Sequence, residues 1–178
     1  FLPFLPMLPV QILINNLLYD LSQTTIPTDD VDEEYLVKPR KWKINEVKRF
    51  MLYFGPISSI FDYATFFILI YFFNAWTNPE LFHTGWFIES LITQTLIIHV
   101  IRTNKIPFIE SRASWPLLAT TIVIVGIGLW LLFSPFAKTL GFVALPPLYF
   151  AFLAMTLLGY ILLTQFVKNW FIRKYVSE

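Results

Sequence analysis

Long runs of apolar residues, broken only by short polar connections, leave this chain few ways to fold. Five blocks can be drawn: about Leu5 to Ile26, Phe50 to Trp76, Leu81 to Ile101, Trp115 to Phe133 and Leu148 to Val167. A helix rises about 1.5 Å per residue, so each block is long enough for a hydrocarbon core of roughly 30 Å. Backbone groups in lipid must pair within a helix or a closed barrel. Barrel strands alternate apolar and polar residues over about ten positions, and these blocks do not. The expected fold is therefore all-α: a polytopic transmembrane bundle of five spanning helices. Charged residues make up only 14% of the chain, against about 25% in soluble domains.

The connections predict an orientation. Basic residues beside a membrane mark its cytoplasmic side. Lys38, Arg40, Lys41, Lys43, Lys48 and Arg49 lie between the first and second blocks, and Arg102, Lys105 and Arg112 between the third and fourth. Lys168, Arg173 and Lys174 follow the fifth, and the two remaining connections hold only Lys138. The loop 27–49, the loop 102–114 and the C-terminus are thus expected to be cytoplasmic. An odd number of crossings then puts Phe1 outside. With neither an initiating Met nor a signal peptide, the chain reads as the tail of a longer protein. Loop 27–49 is acidic first (Asp29, Asp30, Asp32, Glu33, Glu34) and basic second. It reads as a solvated loop with a basic anchor, or as a docking surface for an upstream domain. A net charge of +1 implies no general attraction to nucleic acid, and the absence of cysteine excludes disulfide and thiolate chemistry.

Polar groups inside the blocks carry the functional signal, because a charge at the bilayer centre costs about 2.5–3.5 kcal/mol on insertion scales. Asp20, Asp62, Glu89 and His99 qualify. Asn16 and Asp20 are spaced i, i+4 and share one helical face. Carboxylate and amide oxygens are what hard cations prefer, so this pair is assigned as ligands. Gln11, Asn15 and Tyr19 form a second stripe, assigned to interhelical hydrogen bonding. Pro3, Pro6 and Pro9 either interrupt the helix, with Pro9 freeing the carbonyl of Leu5, or form its outer approach. Glu89 either completes the cation site or pairs across the bundle. Asp62 is assigned a structural role, and His99 an interfacial or hydrogen-bonded one. Gly55 and Pro56 suggest a kink, and Gly126 and Gly128 close helix packing. The candidate metal ligands are accordingly Asn16, Asp20 and Glu89. No phosphate-binding glycine loop or HExxH motif occurs.

The run Pro9 to Asp20, PVQILINNLLYD, resembles the sixth transmembrane helix of P-type cation pumps. In that family the Asn and Asp of the motif are cation ligands, and these carry over to Asn16 and Asp20. The Thr and Gly of the calcium-pump pattern are Tyr19 and Leu21 here, which argues against a calcium pump with two sites. Lys38-Pro39-Arg40 stands where such pumps have a similar basic turn. FGPISSIFD (54–62), GWFIESLITQTLIIH (85–99) and KIPFIESRASWPLL (105–118) are similar to the bacterial magnesium-transporting branch. The resemblance covers the whole chain, as helices six to ten. It implies an ATP-driven pump of the bacterial inner membrane that moves Mg²⁺ and is surrounded by lipid. The phosphorylated DKTGT motif is not in this sequence. ATP would be bound by upstream domains of the same polypeptide. Two rival readings are a secondary transporter using Asp20 and Glu89 as proton-coupled carboxylates, and a non-transporting membrane scaffold.

Overall fold

The structure, a computed structural model, describes residues 2–30, 44–103, 105–107 and 109–175. Its helices are α1 (Pro9–Gln23), α2 (Ile44–Phe73), α3 (Pro79–Ile101), α4 (Trp115–Phe133) and α5 (Pro147–Tyr175), with a 3₁₀ turn at Ile26–Thr28. No β-strand occurs among the described residues. Most of the acidic and basic run expected in loop 27–49 falls at 31–43 and lies outside them.

Proline and asparagine set the helix ends. Pro9, Pro79 and Pro147 each occupy the first helical position, where a missing N–H costs nothing. Asn78 caps α3, its Oδ1 accepting from Leu81 N at 3.3 Å. Asn74 ends α2 in the left-handed region (φ 51°), which Asn tolerates, and Ala75 N then bonds back to Leu69 O at 3.0 Å. Pro56 lies within the α2 helix.

Among the described residues four helices, α2 to α5, are long and apolar enough to cross a membrane. That corrects the expectation of five spans. The first apolar block runs from about Leu5 to Ile26, but α1 has 15 residues, about 22 Å of rise against a core of roughly 30 Å. The physical reason is at both ends. Pro3, Pro6 and Pro9 keep residues 2–8 out of the helix, and Pro27 lies in a 3₁₀ turn just past the other end. The chain here is a multi-pass membrane bundle.

The centre of the bundle is α3, which packs against all four other helices. In its most apolar stretch 67% of residues are buried, against 17–22% in the other three long helices. Its one glycine and its small polar groups allow that. A Cβ at Gly85 would lie 2.6 Å from Leu69 Cδ2 of α2 and 3.3 Å from Tyr149 Cζ of α5. The buried Tyr149 hydroxyl donates to Gly85 O at 2.7 Å. On α4, Gly128 faces Leu91 of α3, with 2.3 Å to Leu91 Cδ2 for an added Cβ, whereas Gly126 faces open space. Only Gly128 therefore serves the close packing expected of the pair. Thr93 and Thr95 turn their hydroxyls back to carbonyls of α3 itself, so they enter the core without unmet donors.

Candidate functional site: the polar faces of α1

A helical residue advances about 100° around the axis, so Gln11, Asn15, Leu18 and Ser22 share one face. These four are the buried residues of α1. Gln11 is fully buried, and its amide works in both directions. Nε2 donates to Leu140 O and Gly141 O, each at 3.0 Å, and Oε1 accepts from Leu8 N at 3.1 Å. Gly141 is required there: its φ is +71°, and a Cβ would come within 2.5 Å of Leu8 Cδ1. One turn on, Asn15 Nδ2 donates to Phe87 O of α3 at 3.3 Å. Asn15 thus bonds to a neighbouring helix, as expected of this stripe, whereas Gln11 ties α1 to the connection between α4 and α5; Tyr19 is only half-buried. The approach to α1 is also held, since His83 Nε2 lies 2.6 Å from Leu5 O. Residues 2–8 form a non-helical approach to α1, and the Leu5 carbonyl is taken by His83 of α3 rather than left open.

Losing this anchor has an expected cost. Gln11→Leu leaves two carbonyls and one N–H without their partner, and should destabilise the protein by about 1–3 kcal/mol. Thermal unfolding of the purified protein in detergent measures it.

Asn16 and Asp20 lie roughly 150° around α1 from the buried stripe, by the same 100° step. Both are exposed, and neither has a hydrogen bond or ion pair among the described residues. Their face of α1 is uncovered by the bundle, whose contacts to α1 come from α3 and α4.

Glu89 sits elsewhere. It is 1% exposed, and its Oε2 has no hydrogen-bond partner. It stands one turn beyond Gly85 on the face of α3 that meets α2 and α5. Asp62 and Tyr149 are its electrostatic neighbours. Asp62 accepts from Trp86 Nε1 at 2.8 Å, which ties α2 to α3. His99 Nε2 pairs with Thr121 Oγ1 of α4 at 2.9 Å. Both residues hold helices together, in line with the roles expected of them. The structure therefore brings Asn16 and Asp20 together and leaves Glu89 across α3 from them. Among the described residues no three His, Asp or Glu side chains gather closely enough to hold a metal ion.

Two polar anchors escape a reading of the sequence. Lys168 of α5 is 4% exposed, and its Nζ donates to Val100 O, Thr103 O and Lys105 O at 3.0, 3.2 and 2.8 Å. It caps the end of α3 from a neighbouring helix. Asp29, just past α1, pairs with Arg102, just past α3. Neither pairing has a local signal, because the partners are 63 to 73 residues apart.

Comparison with known proteins extends this geometry. Residues 4–170 match the family profile described as cation transporting ATPase, C-terminus. The chain is 53% identical over 178 residues to the magnesium-transporting ATPase, P-type 1, of Salmonella typhimurium strain LT2. It is 52% identical over the same length to the protein of that name from Escherichia coli K12. Each alignment covers 98% of this chain and 20% of the relative, so the chain spans about a fifth of the length of these proteins.

Proposed function

Because the chain belongs to the family of cation-transporting ATPase C-terminal regions, we propose that it forms the C-terminal membrane domain of an ATP-driven magnesium pump. Its part in that pump is to present Asn16 and Asp20 to Mg²⁺. The observation that carries this reading is the division of labour on α1. Gln11 and Asn15 are consumed by the bundle, while Asn16 and Asp20 are held outward with every acceptor oxygen free. A carboxylate kept unpaired on a membrane helix requires a partner, and a cation between α1 and helices outside this chain supplies one. Mg²⁺ suits so small a set, because it keeps several waters and needs only one or two carboxylates. Glu89 contributes as a second station, its unpartnered Oε2 open to a cation that reaches the bundle interior.

In this reading α1 and its proline-rich approach lie in a bacterial inner membrane beside the four spanning helices. The ends carrying Arg102, Lys168 and Arg173 face the cytoplasm. ATP is bound and hydrolysed by other domains of the same polypeptide.

The test is transport by the full-length protein in sealed proteoliposomes. Mg²⁺ movement is expected to need ATP and to be indifferent to an imposed proton gradient. Movement driven by that gradient without ATP would instead establish a secondary transporter.

A further inference from the structure

The end of α1 that carries the basic connections is fastened to the bundle by one carboxylate. The path from the helix to that carboxylate is short and closed. Thr24 N bonds to Leu21 O, Thr28 N to Thr25 O and Asp29 N to Ile26 O, so helix, turn and Asp29 are continuous. Thr25 and Thr120 hydroxyls meet at 2.8 Å, which lays the turn on α4. Asp29 then divides its oxygens between two other helices. Oδ2 accepts from Arg102 Nη1 at 2.8 Å, at the end of α3, and Oδ1 accepts from Ser114 N at 2.7 Å, at the start of α4. Arg102 is held in turn by Ser111 Oγ at 3.1 Å and by Asp30 O at 3.5 Å. The two charged side chains are only 8% and 11% exposed.

We infer that Asp29 is a positioning residue for the cation helix, fixing the depth and rotation of α1 by binding α3 and α4 at once. The inference rests on the proposed role of Asn16 and Asp20. An apolar contact at this place would hold α1 against its neighbours and still let it turn. Two directed bonds from one carboxylate to two helices do not. With Gln11 fixing the other end, the rotation that points Asn16 and Asp20 out of the bundle is set at both ends of α1.

The test uses the full-length transporter and separates half-saturating Mg²⁺ from maximal rate. Asp29→Asn keeps an oxygen for Ser114 N and removes the charge facing Arg102. It is expected to raise half-saturating Mg²⁺ about 10-fold, the usual scale for residues that orient ligands, with the maximal rate little changed. Adding Arg102→Gln removes the unpaired cation and should give a shift no larger than that of Asp29→Asn alone. Ser114→Pro removes the N–H, together with a buried hydroxyl that has no hydrogen-bond partner, at a φ of −56° that proline accepts, and should shift half-saturation in the same direction by a smaller factor. This milder variant serves if the charge variants do not fold. A lower maximal rate or yield with unchanged half-saturation in these variants would make the clamp merely structural and overturn the inference. Asp20→Ala is measured alongside. If it leaves transport intact, the ligand assignment fails and takes the inference with it. If it abolishes transport while the Asp29 variants leave half-saturation unmoved, only the positioning role fails.

Discussion

Asp20→Ala is expected to cut Mg²⁺ transport by the full-length protein at least about 100-fold, while the amount of folded, membrane-inserted protein stays the same. The two halves of that result come from one observation. Asp20 is exposed on α1 and makes no hydrogen bond or ion pair within the described bundle, so the fold loses no contact with it. Removing an unpaired carboxylate from a membrane helix even favours insertion. A cation that relies on one or two carboxylates, in contrast, loses a principal ligand. Asn16→Ala, which removes a neutral oxygen, should raise half-saturating Mg²⁺ and spare more of the maximal rate. Transport into vesicles, normalised to folded protein by size-exclusion chromatography, gives both quantities. An equal loss of folded protein and transport would mean that Asp20 is a structural residue.

Lys168→Met should have the opposite profile, with a large loss of stability. The ammonium supplies three donors to three carbonyls at the end of α3 and in the loop beyond, where the helix leaves carbonyls without intrahelical partners. Methionine fills a similar volume and offers none of those donors. With hydrogen bonds to charged groups worth about 1.5–3 kcal/mol each, and some of the loss recovered by no longer burying a charge, the net cost should be about 2–4 kcal/mol. Arginine is a poor substitute, because its flat fork does not converge on three carbonyls as an ammonium does. Lys174 makes a useful contrast. It is exposed, with its Nζ 4.8 Å from the Trp170 ring centroid, and Lys174→Met should cost less than about 1 kcal/mol. Unfolding midpoints in one detergent, compared across the three proteins, would settle the ranking. Equal midpoints for Lys168→Met and the parent would contradict it.

The contrast between these lysines also marks what a sequence can disclose. Both belong to the same basic cluster after the last apolar block, and counted as charges they are equivalent. Only the packing of α5 against α3 turns one inward. Helix type and the bounds of α3 and α4 were legible, because apolar length and proline at helix starts are local properties. The length of α1 is not legible from hydrophobicity, which continues through residues 5–8, where Pro6 and Pro9 prevent a helix. The two stripes of α1 were legible as stripes, since the i, i+4 spacing is carried by the sequence itself. Which stripe faces inward depended on Leu140, Gly141 and Phe87, more than 70 residues away. Glu89 shows the limit most plainly. Its depth in the bundle followed from its place in the block, but its face did not. It shares that face with Gly85, where Leu69 and Tyr149 close in on α3.

The central claim is that the outward face of α1 holds the transported cation, and locating that cation tests it most directly. Mn²⁺ is a suitable stand-in, since it favours the same octahedral oxygen coordination as Mg²⁺ and scatters anomalously. In crystals of the full-length transporter grown with Mn²⁺, the anomalous peak is expected within bonding distance of the Asp20 carboxylate and the Asn16 amide oxygen, about 2.0–2.6 Å. A peak lodged between Asp62 and Glu89, with Asp20 and Asn16 touching no metal, would contradict the account.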